Sequence, residues 1–510
     1  MALTVGLTGV TVYSALKAVK LDNQNFGSTT PLETARKVKY GGESALKVAI
    51  PAIELILGKE YVLHHSSELK RHGTSDWSTY ANKENEYPQV VVLPSTTEEV
   101  SEIMKIAHAN KIPVIGYSGG TSLEGQFAAL EAASICVDFQ RMEGVIELHE
   151  DDLDVVVGPA TEWQQLNEEL APQGLFFPPD PGPGARIGGM ISTACSGTNA
   201  ARYGTVREWI VNLTVVLADG SIVKTRQRPR KSSAGYNLTQ LIIGAEGTLG
   251  LVTEATLKLA VRPQETSVAV AAFGSISDAS RCVSKIVRAG IPVAAVEILD
   301  DVQMKAINLS DSVERQYDEV PTLFFKFGGT QSGVKEQIAQ VSRIAKDSGL
   351  VGKFLFAKSK DEQDELWSAR KEALWSVMAL KEDGDRVWTT DVAVPVSRLA
   401  EIIETTKRDI SESGLLASIV GHVGDGNFHA ILCFPETKRA VAEAVVHRMV
   451  DRALEMEGTS TGEHGVGVIK RDFLEHELGI HAVDMMRKIK TSLDPLGILN
   501  PGKIVRLSKE

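Results

Sequence analysis

Two histidines separated by a glycine-rich turn, in His422-Val-Gly-Asp-Gly-Asn-Phe-His429, are the residues whose types and spacing point most directly to chemistry. Asp425-Gly426 is a strong hairpin signal, and its flanks, Leu416 to Val423 and Asn427 to Phe434, are apolar enough to be strands. With Asp425 and Gly426 as a two-residue loop, Gly424 pairs with Asn427, Val423 with Phe428, and His422 with His429. Facing Cβ atoms in such pairs lie about 4.5–5.5 Å apart. Two metal–nitrogen bonds of about 2.0–2.1 Å can be closed from there. The spacing predicts half of a metal site; the alternative is a pair of surface histidines beside a turn.

A third ligand candidate lies in Thr461-Gly-Glu463-His464-Gly-Val-Gly467, where a carboxylate and an imidazole are adjacent in a glycine-rich turn. Adjacent residues usually point different ways. Glu463 can therefore complete a set of two imidazoles and one carboxylate, leaving His464 free for proton chemistry near its natural pKa. Such a set with open positions is the pattern of a catalytic metal rather than a structural one. The plain alternative is that Glu463 and His464 bond neighbouring backbone. Arg370, in Leu366-Trp-Ser-Ala-Arg-Lys-Glu-Ala-Leu374, sits on an expected helix, and a guanidinium clamps a carboxylate through two parallel hydrogen bonds. Taken alone it reads as a solvated helix residue. Thr389-Thr390-Asp391 can line the same pocket.

The elements that must position these groups follow from periodicity and turn signals. Beyond Arg262-Pro263, a domain boundary, strands and helices alternate, and the economical fit is an α+β domain with helices on one face of an antiparallel sheet holding the 416–434 hairpin. In the N-terminal half, Ile50 to Leu57 reads as a short helix with Pro51 in its first turn. Ser95-Thr-Thr-Glu98 reads as a capping box opening a helix that ends at Lys111. The strand Pro113 to Tyr117 runs into Ser118-Gly-Gly-Thr-Ser-Leu-Glu-Gly125, which is neither a dinucleotide fingerprint nor a P-loop. Its backbone N–H groups can still form an anion-binding nest suited to a pyrophosphate. Phe177-Pro-Pro-Asp-Pro-Gly-Pro-Gly184 is a rigid loop of the kind that lines ligands. The small residues from Gly188 to Asn199 let a flat ligand lie against backbone, although a closely packed helix needs them too. Gly244 to Gly250 leads into a strand, 251–259.

At 510 residues two or three domains are expected. The formal net charge of −12 argues against a nucleic-acid binder. Cys136, Cys195, Cys282 and Cys433 show no C-x-x-C spacing, which points to buried thiols in a reducing compartment. Residues 1–16 carry no charged side chain and read either as a short membrane anchor or as a plain packing or disordered segment. The expected division is a hydrophobic segment (1–20), an arm (21–84), a cofactor domain (85–263) and a substrate and metal domain (264–510).

Several stretches together resemble one family, the flavoproteins with a vanillyl-alcohol-oxidase type FAD domain that oxidise D-2-hydroxy acids. They are Tyr117-Ser-Gly-Gly-Thr-Ser-Leu-Glu124, Gly174-Leu-Phe-Phe-Pro178, Ile187-Gly-Gly-Met190, Cys195-Ser-Gly-Thr-Asn-Ala200, Arg202-Tyr-Gly-Thr205, Arg228-Pro-Arg-Lys-Ser-Ser-Ala-Gly-Tyr-Asn237 and Glu246-Gly-Thr-Leu-Gly-Leu-Val-Thr253. The resemblance runs from about residue 60 to the C-terminus and is nearest the fungal mitochondrial, cytochrome c-reducing D-lactate branch.

That resemblance implies a two-subdomain FAD-binding domain followed by the α+β substrate domain. It implies that Ser118, Gly119, Gly120, Thr121 and Ser122 hold the FAD pyrophosphate. Pro179, Gly182, Gly188, Gly189, Ser196, Gly197 and Asn199 are implied to line the cofactor, with Gly204, Glu246, Gly250, Val252 and Asn500. A divalent metal, zinc or manganese, is implied on His422, His429 and Glu463, with Arg370 on the substrate carboxylate and His464 as the base. Relatives with covalent flavin carry a histidine or cysteine in the loop held here by Gly119 to Ser122, so the FAD is expected to be noncovalent. Relatives acting on D-2-hydroxyglutarate carry a Thr and a Lys where this chain has Leu374 and Thr389, which favours a short monocarboxylate. The resemblance further implies cytochrome c as acceptor and the inner mitochondrial membrane, facing the intermembrane space. Two alternatives remain at this level: a D-2-hydroxyglutarate or glycolate dehydrogenase reducing a quinone or flavoprotein, and a non-catalytic FAD-binding subunit.

Overall fold

The computed structural model describes residues 27–508 apart from 36, 37, 76, 77, 79, 84, 132 and 311–314. The hydrophobic segment 1–20 lies outside the described residues. Among those described, no helix is long and apolar enough to cross a membrane.

Three sheets organise the chain. The first has four strands, in the order Val62–Leu63, Val90–Val92, Ile135–Asp138, Val114–Tyr117, with the last three mutually parallel. Helix Thr97–Asn110 packs Val100, Ile103, Met104 and Ala107 into its core. Its cap falls one residue later than expected: Thr96 accepts from the Glu99 N–H, and the Glu99 carboxylate accepts from the Ser95 N–H. The expected short helix at 50–57 is the second half of a longer one, Gly42–Leu57. Leu46, Ala49, Ile53 and Leu57 form its buried stripe, and Pro51 is tolerated on the exposed side.

The second sheet is five-stranded and antiparallel, in the order Val145–His149, Asp154–Val157, Leu251–Lys258, Ile210–Val216, Ile222–Lys224. Together these two sheets form the N-terminal body. The third sheet holds eight strands, with Glu265–Phe273, Thr322–Gly329 and Ala295–Leu299 leading to the hairpin Leu416–Gly421 and Asn427–Phe434. Its pairings are antiparallel, as expected.

Helices on one face were expected; they cover both. Along one strand Val268 and Val270 enter one core while Ala269, Ala271 and Phe273 enter the other. The first core is closed by helices Asp301–Leu309 and Lys360–Lys371, the second by Ile276–Arg288, Leu399–Ser413 and Arg439–Glu455. A strand buried on both sides shows no polar alternation, so its sequence does not reveal a second layer.

The chain end returns to the first body. Ile498 and Leu499 join the core of the four-stranded sheet, where Ile498 O accepts the Val114 N–H at 2.7 Å and the Asn500 N–H reaches Val114 O at 2.8 Å. All four cysteines are buried and unpaired, as expected.

Candidate active site

The hairpin brings the two imidazoles together by a different register from the expected one. Val420 stands opposite His429, and the Asn427 N–H donates to His422 O, so the loop is longer than Asp425-Gly426. The error is two residues. An even slip keeps every side chain on its face, so the rings still meet, with centroids 5.4 Å apart. Gly426 takes φ +85°, and a Cβ there would fall 2.1 Å from Val394 O, which excludes any other residue.

The hydrogen bonds fix which ring nitrogen is available. His429 Nδ1 lies 2.9 Å from Thr390 O. A carbonyl only accepts, so Nδ1 donates to it, and Nε2 is the nitrogen left to face the site. His422 Nδ1 lies 2.9 Å from Glu297 Oε1. Both Nε2 atoms face one carboxylate oxygen, Glu463 Oε1, each at 3.2 Å. Burial opposes charge on His422, yet Glu297 and Glu463 hold its pKa well above the ordinary value. Burial likewise opposes charge on Glu463, and His422 and His429 hold it well below the usual carboxylate range.

The loop carrying Glu463 and His464 is shaped by Asp391, which accepts both of their N–H groups at 2.9 and 3.0 Å and the Thr461 hydroxyl at 2.9 Å. Asp391 is fully buried; burial disfavours its charge, but Lys470, His464 and His429 keep its carboxyl strongly acidic. The His464 ring stacks on His429 at 5.2 Å with a 7° tilt, and its Nδ1 faces Glu124 Oε1 at 3.2 Å. Among the described residues nothing else bonds that ring. Adjacent residues do diverge: Glu463 faces the histidine pair, and His464 stands beside it.

His422, His429 and Glu463 offer ligand atoms that all lie within 4.8 Å of one another. Two imidazoles with their Nδ1 positions held by oxygen acceptors, plus one carboxylate, are a donor set that fits a divalent cation with open positions. Arg370 is brought to the same place through Glu297, whose second oxygen accepts the Arg370 Nε–H at 2.8 Å. Glu297 was not anticipated. The signal available was a lone carboxylate in the apolar strand Ala-Val-Glu-Ile-Leu, a residue that is 0% exposed. Buried carboxylates need partners.

The cofactor segments lie against this loop. Among the described residues, none of the backbone N–H groups from Ser118 to Leu123 donates to a protein acceptor. Such a run of open donors, with Gly120 at φ +67°, fits the nest expected for a pyrophosphate. Pro179 and Gly182 lie in the loop packed on Asn199, whose Nδ2 donates to Pro178 O at 3.0 Å. Gly188 and Gly189 open the helix Ile187–Thr193, and space above Gly189 is free. Gly197 packs on Asp180, and Gly204 ends the helix Ala200–Tyr203. Gly250 and Val252 start the strand Leu251–Lys258.

Several of the expected cofactor residues spend their side chains on the protein, and three of them do so around the Glu463 loop and the chain end. Ser196 donates to Glu463 Oε2 at 2.6 Å. Glu246, whose carboxyl burial pushes up to about 7, accepts the N–H groups of Val466 and Gly467. Asn500 donates to Gln126 O at 3.0 Å and Glu246 O at 2.7 Å. Ser196 and Glu246 tie the Glu463–Gly467 loop to the N-terminal body, and Asn500 ties the chain end to it. Asn500→Ala would leave two buried carbonyls without donors, and unfolding by denaturant should show a loss of about 1–3 kcal/mol while bound FAD is retained.

Residues 88–226 match the family described as FAD binding domain, and residues 262–504 the family described as FAD linked oxidases, C-terminal domain. A mitochondrial D-lactate dehydrogenase [cytochrome] of Kluyveromyces lactis is 49% identical over 447 residues, covering 86% of this chain and 77% of that protein. The Arabidopsis thaliana protein of the same description is 42% identical, covering 96% of this chain and 87% of its own length. Among solved structures, 4-ethylphenol oxidase from Gulosibacter chungangensis superposes with a TM-score of 0.76 at 19% identity, over 94% of this chain and 99% of that one. p-Cresol methylhydroxylase with substrate bound gives 0.72 at 17% identity, over 93% and 100%. These two share the fold, the vanillyl-alcohol-oxidase type expected above. The chain belongs to the family of FAD-linked oxidases that includes the cytochrome-type mitochondrial D-lactate dehydrogenases.

Proposed function

We propose that the protein oxidises D-lactate to pyruvate and passes the electrons, one at a time, to cytochrome c. The observation that carries this reading is the single loop that sets Glu463 against both His422 and His429 while Ser196, from the cofactor domain, holds its other oxygen. When bound, noncovalent FAD supplies a two-electron hydride acceptor, and a zinc or manganese ion on His422, His429 and Glu463 supplies a Lewis acid that makes the substrate hydroxyl more acidic.

The chain's own residues do the rest. Arg370, anchored at Nε by Glu297, keeps its outer nitrogens for the substrate carboxylate. His464, oriented at Nδ1 by Glu124, takes the hydroxyl proton at Nε2. Glu297 joins the carboxylate clamp to the metal site, since one carboxylate holds both Arg370 and His422. The relatives' names place them in mitochondria, which supports the same compartment here. Within it, the proposed place is the inner membrane facing the intermembrane space, where cytochrome c is found. A net charge of −12 suits an acceptor as basic as cytochrome c.

Anaerobic addition of D-lactate should bleach the flavin fully, with kcat/KM well above that for glycolate or D-2-hydroxyglutarate. Bleaching by L-lactate to the same extent, or a preference for 2-hydroxyglutarate, would overturn the proposal.

A further inference from the structure

The strand Thr322–Gly329 carries a cation in a row of apolar residues. Lys326 stands opposite Val268 and Ala295 and points, like Phe324 two residues before it, into the core closed by the helix Lys360–Lys371. The neighbouring row on that face is Val270, Phe324 and Glu297, and Glu297 holds both Arg370 and His422. Rows two residues apart are separated by about 6.4–6.8 Å. Lys326 therefore stands one row to the side of the carboxylate clamp, on the same face of the sheet.

Its ammonium is held in place without a polar partner. Nζ lies 4.1 Å from the ring centroid of Trp367, which precedes Arg370 by one helical turn and forms a shelf that steadies a cation while leaving its N–H groups open. Among the described residues it has no hydrogen-bond acceptor and no ion-pair partner, although the side chain is partly buried. A cation withdrawn from water in this way is costly unless an anion meets it. Burial works against its charge; Asp180 and Glu297 support it, yet both are engaged elsewhere. Glu297 is bonded by Arg370 and His422, and Asp180 by the Thr198 hydroxyl at 2.6 Å and the Asn199 N–H at 2.8 Å. Asp180 packs on Gly197 and feels both Lys326 and His422. The ammonium thus lies at the seam between the cofactor segments and the substrate sheet, and Lys371 repels it more than Arg370 does, which fits a position outward of the clamp.

We propose that Lys326 binds a second carboxylate, so that the site takes D-2-hydroxy dicarboxylates as a further substrate class. The inference rests on the lactate reading, in which Arg370 holds the first carboxylate. The methyl group of D-lactate offers an ammonium nothing; D-malate is D-lactate with a carboxylate on that carbon. In the balanced step the C2–H and O–H bonds of D-malate break and C=O forms. The hydride goes to FAD, the proton to the base already assigned, and the product is the 2-oxo dicarboxylate. No other oxidant is required.

The test is anaerobic flavin reduction and steady-state turnover of the FAD- and metal-loaded enzyme with D-lactate, D-malate and L-malate, in wild type and in Lys326→Met, Lys326→Gln and Lys326→Arg. Met suits the apolar row of Val268 and Ala295, Gln keeps a polar end, and Arg keeps the charge. D-malate, and not L-malate, should bleach the wild-type flavin. The ratio of kcat/KM for D-malate to that for D-lactate should fall about 10–100-fold in the Met and Gln variants, the worth of one hydrogen bond between charged groups, and stay near wild type in the Arg variant. The fall should appear in the KM for D-malate. Wild type that D-lactate bleaches and D-malate does not, or an unchanged ratio in the Met and Gln variants, would overturn the role of Lys326 alone. Loss of FAD from both neutral variants would make Lys326 a structural residue and overturn that role equally. Bleaching by D-malate without bleaching by D-lactate would remove the lactate reading and leave the second carboxylate standing, and bleaching by neither would remove both.

Discussion

Replacing His464 with Asn should leave a folded, yellow protein whose turnover of D-lactate falls by about 10²–10⁴-fold, the range general-base catalysis supplies. The substitution removes the only imidazole of the cluster outside the ligand set. It leaves the structural contacts of the loop intact, because those run through backbone: the His464 N–H to Asp391 and the His464 carbonyl to Gln126 Nε2 at 2.7 Å. FAD content and metal content are therefore expected to match wild type. Anaerobic flavin reduction should slow as much as steady-state turnover, since the proton leaves with the hydride. A variant that reduces its flavin at the wild-type rate would remove His464 from the chemistry.

His422→Ala should lose metal and activity together. Disturbing only an outer-shell partner of a metal ligand costs about 10–100-fold in affinity, so deleting a ligand should weaken binding by more than about 100-fold. The loss also leaves Glu297, buried, and Glu463, partly buried, without the imidazole that lies between them at 2.9 and 3.2 Å. Two carboxylates deprived of a shared cation repel. Metal analysis of the purified variant should find less than one ion per chain with FAD still present. Stoichiometric metal in active His422→Ala would contradict the ligand assignment.

What the sequence disclosed of this site depended on how local the cause was. The pairing of His422 with His429 survived a register error because parity, set by the pleat, matters more than the loop count. Glu463 and His464 were legible from their adjacency in one glycine-rich turn. Glu297 was not, since its partners Arg370 and His422 are 73 and 125 residues away. Glu246 belonged to a motif of the resemblance and Asn500 was implied by it to line the cofactor, yet their role as ties between the bodies depends on contacts 254 and 221 residues apart. The helix Leu399–Ser413 carried a readable stripe, Leu399, Ile402, Ile403, Thr406 and Ile410.

The central claim is that the histidine and glutamate triad and the flavin act on one substrate. Its most direct test is the anaerobic rate of flavin reduction by D-lactate in wild-type protein as purified, after chelation, and after reloading with zinc or manganese. The rate should collapse on chelation while FAD stays bound, and return on reloading. Reduction of the metal-free enzyme at the full rate would contradict it.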